Sequence, residues 1–176
     1  GSMCGTGINT AKSALVYFLK SLPQNSYFNI ISFGSSYSFL YQYPVPTTDE
    51  SITNTISEIK KFEANMGGTE LSSCLNALIN SLSPYCKNRI FVLTDGAVNN
   101  PGNVKDLISS CNKPDTKFYS LGVGSGCSME LVNGIAEGGK GKAEFALNIE
   151  DTTDKVIYLL ESSMKEVIRD FEIRFD

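Results

Sequence analysis

The sequence predicts an α/β fold in which helices cover both faces of a doubly wound, mostly parallel central sheet. Short runs of β-branched and aromatic residues, such as 89–94 and 117–123, do not alternate with polar residues, which is typical of strands buried on both faces. Between these runs, apolar residues recur at intervals of three and four, as in amphipathic helices. Strands that alternate with helices along a chain indicate a parallel sheet. The 176 residues have room for one domain of this kind.

The first part of the chain carries one predicted helix and two predicted strands. The helix covers 10–22, where apolar residues recur at helical spacing and Pro23 follows to end it. A short β-branched and aromatic run predicts a strand over 27–33, which ends at Gly34. A second strand is predicted over 38–43, where prolines follow.

The middle of the chain continues with two helices and a strongly apolar strand. The first helix is predicted over 49–64, with one buried stripe, and Gly67-Gly68 then breaks the chain. A second helix is predicted over 71–82. The strand over 89–94 ends at the turn pair Asp95-Gly96.

The last part of the chain repeats this alternation and closes the domain. The predicted elements are a helix over 104–111, a strand over 117–123, a helix over 128–136, a strand over 143–147 and a helix over 153–169. Polar and apolar side chains alternate strictly over 170–176, which predicts a strand with one solvent-facing side. We expect residues 1–169 to form the domain and residues 170–176 to continue towards a neighbouring domain.

The composition argues against several classes of function. The formal net charge is -4 and the pI is about 4.9, so the chain lacks the clustered basic surface that binds nucleic acid. No apolar run is long enough to span a bilayer, and the chain does not begin with a signal-like segment, so we expect no membrane insertion. The sequence has no histidine, which excludes Ser-His-Asp and Cys-His catalysis and histidine-based zinc sites. We therefore expect a protein that is not an enzyme.

The cysteines bear on the cellular compartment. They number five, an odd count, and none forms a C-x-x-C pair, so neither a zinc site nor a disulfide framework is indicated. Reduced thiols are the simpler interpretation. The sequence also has no N-x-S/T acceptor for glycosylation. Together these features favour the cytoplasm over the extracellular space.

Three segments place oxygen-bearing side chains where a ligand is expected. In open parallel sheets, ligands lie beyond the carboxyl ends of the strands, where the strand order reverses. The segments are Gly1-Ser2-Met3 before the first helix, Met66-Gly67-Gly68-Thr69-Glu70, and Leu93-Thr94-Asp95-Gly96.

These segments resemble the von Willebrand factor A family, whose metal-ion-dependent adhesion site combines D-x-S-x-S, a loop threonine and the aspartate of T-D-G. Ser2 matches the second serine of the first motif, Thr69 the loop threonine and Asp95 the aspartate. The leading aspartate and the first serine have no counterpart in this sequence. The likeness covers almost the whole chain. The flanking segments look most like the subgroup found in inter-alpha-trypsin inhibitor heavy chains, at 21–23, 27–34, 67–71 and 121–126.

The resemblance implies a cation-dependent, adhesion-type binding module for a protein partner. Mg²⁺, or in its place Mn²⁺ or Ca²⁺, would be held by Ser2, Thr69 and Asp95, directly or through water. Mg²⁺ prefers six oxygen ligands in octahedral array. Two hydroxyls and one carboxylate supply little negative charge, so an acidic side chain of the partner can complete the shell.

Each of the three residues also has a simpler interpretation. Thr69 could be only the N-cap of the helix that follows it. Asp95-Gly96 could be only a turn. Gly1-Ser2-Met3 could be the remnant that tag cleavage leaves, although the spacing from Ser2 to the first helix fits the family without a gap.

The resemblance also implies that the family's first strand, in the middle of the sheet beside the strand ending at Asp95, has no counterpart here. A gap at that place would expose unpaired ladder edges on both sides. Filling it with 170–176 would bury Glu172 and Arg174, which is costly unless the two pair. The chain would then be a fragment, or would take the strand from a second copy as a strand-swapped homodimer.

Two other functions remain as alternatives. The first is a metal-free structural scaffold domain of a larger protein, with a degenerate metal site that lacks the leading aspartate. The second is a nucleotide-binding enzyme in which Gly122-Val123-Gly124-Ser125-Gly126 serves as a phosphate loop. That run has G-x-G-x-G spacing in place of G-x-G-x-x-G and lacks an acidic partner at the right distance.

Overall fold

The structure is a computed structural model that describes residues 6–63, 68, 70–96, 98 and 100–165. From residue 71 onward, helices and strands alternate, whereas four short strands follow the first helix in succession. The helices are α1 (Thr6–Lys20), α2 (Asp49–Lys60), α3 (Leu71–Ser81), α4 (Pro101–Ser109), α5 (Met129–Gly138) and α6 (Ile149–Met164). The strands are β1 (Tyr27–Phe28), β2 (Ile31–Phe33), β3 (Tyr37–Phe39), β4 (Val45–Pro46), β5 (Asn88–Thr94), β6 (Thr116–Val123) and β7 (Ala143–Ala146).

The centre of the fold is a parallel sheet with the strand order β5-β6-β7. In its register Thr94 lies opposite Gly122, and Val123 lies opposite Ala146, so the carboxyl ends of the three strands meet at one edge. The shorter strands form two antiparallel pairs, β1 with β4 and β2 with β3. Within the residues that the structure describes, β5 forms a ladder with β6 alone.

Helices cover both faces of the parallel sheet, as predicted. On one face, β6 residues such as Tyr119 and Leu121 pack in a core with Phe18 of α1 and Leu159 of α6. On the other face, Phe118 packs with residues of α3, α4 and α5. Neighbouring positions on β6 thus face opposite cores, which explains its run of buried residues and confirms the predicted α/β class with helices on both faces.

The helix starts were predicted less accurately than the helices themselves. The structure begins α4 at Pro101, three residues before the predicted start, because the Asn100 side chain accepts from the N–H of Asn103 and Pro101 takes the first turn. It begins α6 at Ile149, four residues early, because the Asn148 side chain accepts from the N–H of Asp151. Polar caps therefore extend both helices beyond their apolar stripes.

The predicted single strand over 27–33 is wrong in one respect, because Asn29 interrupts it. The Oδ1 atom of Asn29 accepts from the backbone N–H of Ile30 (2.8 Å) and of Tyr41 (3.1 Å), and its Nδ2 donates to the Tyr41 carbonyl (2.8 Å). A side chain thus replaces backbone partners, and the run becomes β1 and β2. Of the strand predicted over 38–43, only 38–39 lie in a strand, β3; residues 40–43 are not in a strand, and β4 begins beyond the predicted end.

Other boundaries differ at their ends. The first helix starts at Thr6, four residues before the predicted start, and α2 ends at Lys60. The predicted strand over 170–176 lies outside the residues that the structure describes. Among the described helices, none combines the length and apolar character needed to cross a membrane.

Candidate functional site

The carboxyl ends of β5, β6 and β7, together with the loops that follow them, form an edge that we call the carboxyl edge. Strand β5 delivers Asp95 to this edge, directly after Thr94, which is 3% exposed. The Oγ1 atom of Thr94 accepts from the N–H of Gly96 at 3.3 Å. This local bond fixes the turn, and Asp95 lies within it, partly buried. Asp95 therefore lies in a bend at the carboxyl edge.

Strand β6 ends beside this turn. Gly124 has a φ of 80°, a left-handed conformation that glycine adopts without strain, and its N–H donates to the Ala146 carbonyl at 2.8 Å. A Cβ at Gly122 would lie 2.8 Å from Cys127 Sγ and from a ring carbon of Phe145. These glycines therefore have packing and turn roles. The Gly124 N–H is already bonded to a backbone carbonyl, so this donor is not directed at a ligand.

The loop that returns from β6 brings Cys127 to the same edge, next to Asp95. Burial raises the pKa of the Cys127 thiol above its ordinary value, a backbone hydrogen bond opposes this shift, and the negative charge of Asp95 adds to it. No local sequence signal indicates this proximity, because thirty-one residues, including a helix and a strand, separate the two residues in the chain. Only the parallel register of β5 and β6 joins them.

The loop before α3 is attached to the end of β2. The N–H of Glu70 donates to the Gly34 carbonyl at 2.7 Å. The first residue of α3, Leu71, packs in one cluster with Phe33 of β2 and Val92 of β5. The loop that contains the predicted ligand Thr69 thus leads into a helix whose start packs against the strand that carries Asp95.

Of the three predicted ligands, Asp95 is described, whereas Ser2 and Thr69 lie outside the described residues. The N-cap of α3 is Glu70, whose side chain makes no capping hydrogen bond, and the cap interpretation of Thr69 falls on a residue outside the described ones. The structure shows a bend at Asp95-Gly96, closed by the bond from the Gly96 N–H to Thr94, and the ligand role of Asp95 stays a prediction.

The donors at the carboxyl edge fit a hard divalent cation in kind. Asp95 offers carboxylate oxygens, and Thr69 and Ser2 would add hydroxyl oxygens, the ligand type that Mg²⁺ prefers. Cys127 departs from this pattern, because a thiol suits softer metals. Among the described residues, no group of three or more His, Cys, Asp or Glu side chains is arranged to hold a metal ion. A cation at this edge would therefore need oxygen ligands besides the Asp95 carboxylate, such as the hydroxyls of Ser2 and Thr69, which lie outside the described residues.

Solved structures with the same architecture support the fold. A von Willebrand factor type A protein of Catenulispora acidiphila superposes with a TM-score of 0.79 at 17% identity, over 93% of this chain and 40% of that one. The conserved hypothetical protein BatB of Bacteroides thetaiotaomicron gives 0.74 at 16% identity, over 91% of this chain and 89% of that one. At these identities the likeness concerns the fold alone.

The sequence comparisons define the family. The family model for the von Willebrand factor type A domain matches residues 1–145, and the chain therefore belongs to this family. The human von Willebrand factor A domain-containing protein 5B1 is 33% identical over 99% of this chain and 14% of its own length. The human protein 5A is 32% identical over 94% of this chain and 21% of its own length. The chain thus spans only a small part of the length of these relatives.

Proposed function

We propose that this domain binds a protein partner through a divalent cation, Mg²⁺ or in its place Mn²⁺ or Ca²⁺, without catalysing a reaction. The observation that supports this proposal is the position of Asp95 at the carboxyl edge, directly after a buried strand and beside the return of β6. In open parallel sheets this edge is where ligands bind. Membership of the von Willebrand factor type A family supports the same proposal.

The three predicted ligands have separate roles in this proposal. Asp95 supplies the negative charge, while Thr69 and Ser2 supply neutral oxygens, directly or through water. Such a set leaves the cation with net positive charge and an open coordination position. An acidic side chain of the partner then fills that position. The finer likeness to inter-alpha-trypsin inhibitor heavy chains stays a prediction. The relatives named above are the von Willebrand factor A domain-containing proteins 5A and 5B1.

A second candidate is a scaffold domain whose metal site has degenerated. The observation that favours it is that the described residues bring no acidic cluster to the carboxyl edge. A site with one carboxylate binds a divalent cation weakly unless other oxygens add to it. The two candidates differ in one measurable property, which is whether cation stabilises the folded domain.

The test is thermal unfolding of the chain with increasing Mg²⁺ or Mn²⁺, against Asp95→Asn. A ligand that binds only the folded state stabilises it by RT ln(1 + [L]/Kd), about 1.4 kcal/mol at ten times Kd. For a domain of this size that raises the unfolding midpoint by roughly 3–6 °C. We expect a saturable rise in the wild type and none in Asp95→Asn.

Asp106→Asn is the matched control, because Asp106 is an exposed carboxylate on α4, away from the carboxyl edge. It removes the same charge and should leave the cation response unchanged. A wild-type midpoint that does not respond to either cation would favour the scaffold. An equal loss of response in Asp106→Asn would show that the cation screens the net negative charge and does not occupy a site.

A further inference from the structure

A basic groove lies between α1 and α2, distinct from the carboxyl edge. Its floor and wall are apolar, formed by Val16 and Ile59 together with Tyr17. Ile59 is 1% exposed, whereas Tyr17 is 36% exposed, so the floor belongs to the core and the wall faces solvent. The groove is an open depression of about 270 Å³. It therefore offers an apolar contact surface that solvent can reach.

The rim of this groove is positively charged. Lys12, Lys20 and Lys60 line it, and none of the lining residues that the structure describes carries a carboxylate. The Lys12 ammonium donates to the Lys60 carbonyl at 3.0 Å, a neutral acceptor that leaves its charge in place. The fifteen residues of α1 include no acidic side chain. The chain as a whole carries a net charge of -4, so this concentration of cations runs against the overall balance.

We propose that this groove docks an acidic, amphipathic helical segment of a partner protein. The apolar side of such a segment would pack on Val16 and Tyr17, and its carboxylates would face the three rim lysines. Lys12 and Lys20 are eight residues apart on α1, which corresponds to about 12 Å of helix. This length matches roughly two turns of a helix lying in the groove, a common mode of peptide recognition.

The charge and the apolar surface have different parts in this interaction. Exposed ion pairs contribute little free energy each, but they speed association and select acidic partners. The aromatic ring of Tyr17 provides the larger contact area. Docking should therefore weaken as salt rises, because the rim is exposed to solvent, and it should not require a cation.

The experiment uses a fluorescein-labelled synthetic peptide in which Glu-Glu-Leu-Leu is repeated, with a glutamine-for-glutamate peptide beside it. Fluorescence anisotropy is measured in EDTA, so that the carboxyl edge takes no part. We expect saturable binding of the acidic peptide to the whole chain, and binding about ten-fold weaker after Lys12→Glu, Lys20→Glu and Lys60→Glu together. Tyr17→Ser alone should also weaken binding, with far-ultraviolet circular dichroism showing that each variant is folded.

The matched control carries the same charge change elsewhere, as Lys113→Glu, Lys140→Glu and Lys142→Glu. If it weakens binding as much as the groove variant does, the interaction follows net charge and the proposal is wrong. Equal binding of the glutamine peptide would also overturn it. The last measurement is sedimentation of the protein with phosphatidylserine vesicles. If the protein sediments with the vesicles and does not bind the peptide, the groove binds a membrane surface and the proposal is wrong.

Discussion

The two ends of the parallel sheet use their polar groups differently. At the amino ends of β5 and β6, side chains bind the backbone of neighbouring segments. Asn88 Nδ2 donates to the Ser83 carbonyl at 2.9 Å and to Thr116 Oγ1 at 3.1 Å. Arg89 donates to the carbonyls of Ser163 (3.0 Å) and Asp115 (2.6 Å). These bonds tie α6 and two loops to the sheet, so this end, the amino edge, serves stability.

Glycines show the same contrast between the two edges. At the amino edge, a Cβ on Gly139 or Gly141 would overlap Phe118, so the backbone there packs directly against β6. At the carboxyl edge, a Cβ on Gly124 or Gly126 would meet no heavy atom within 4 Å. The backbone is closely packed at Gly139 and Gly141, whereas the loop after β6 is open at Gly124 and Gly126; inside β6, Gly122 is closely packed as well. The open loop after β6 belongs to the same edge as Asp95, and the difference between these glycine positions makes separate predictions.

The largest effect is expected for Gly141→Ala at the amino edge. Its Cβ would overlap the Phe118 carbonyl oxygen, which is backbone and cannot turn aside. Overpacking of this kind should lower the free energy of unfolding by about 3 kcal/mol, measured by urea unfolding. Gly126→Ala is the matched control at the carboxyl edge and should change stability by less than about 1 kcal/mol. Similar losses in both variants would contradict the contrast between a closely packed and an open glycine position.

A smaller effect is expected for Arg89→Met, which keeps the apolar stem and removes the guanidinium. Hydrogen bonds from charged groups contribute roughly 1.5–3 kcal/mol each at most, and solvent can replace part of this loss. We expect a decrease of about 2 kcal/mol in the free energy of unfolding. The rise of the midpoint with Mg²⁺ should persist, because Arg89 lies at the opposite end of β5 from Asp95. Loss of that response would mean that the two edges are not independent.

How far the sequence could predict this fold depends on the kind of signal. The fold class and most elements follow from the spacing of apolar residues, because that spacing reflects which side chains are buried. The predicted bounds of β6 and α3 therefore agree closely with the structure. The starts of α4 and α6 were predicted too late, because Asn100 and Asn148 cap the helices through single hydrogen bonds. The spacing of apolar residues carries no signal for such bonds. The division of the strand at 27–33 was missed for a similar reason. The sequence does not show that the Asn29 side chain binds the backbone of Tyr41.

The candidate site was predictable only in part. Asp95 could be found because a turn pair after a buried strand marks a strand end in a parallel sheet. The neighbouring thiol of Cys127 could not be found, because its position depends on the register between β5 and β6 and on the path of the following loop. Contacts that combine distant segments have no local sequence signal, and this limit applies to any site built from several loops.

The smallest effect is expected for the reactivity of Cys127 after Asp95→Asn. Burial raises the pKa of this thiol most, and the negative charge of Asp95 raises it further. Removing that charge lowers the pKa of Cys127 and increases the thiolate fraction at pH 8, since thiolate is the reactive form. Alkylation by neutral iodoacetamide should then become roughly two-fold faster, measured by mass spectrometry of the peptide that contains Cys127.

Two other cysteines serve as internal controls in the same protein. Cys86 is exposed and should react quickly and equally in both variants. Cys74 is buried in α3, where burial raises its pKa to about 11, and it should stay unmodified. If Cys86 accelerates together with Cys127, the substitution has loosened the whole fold. If Cys127 also keeps its rate in Asp95→Asn, the Asp95 carboxylate does not act on the thiol, and the two groups are further apart than in the structure.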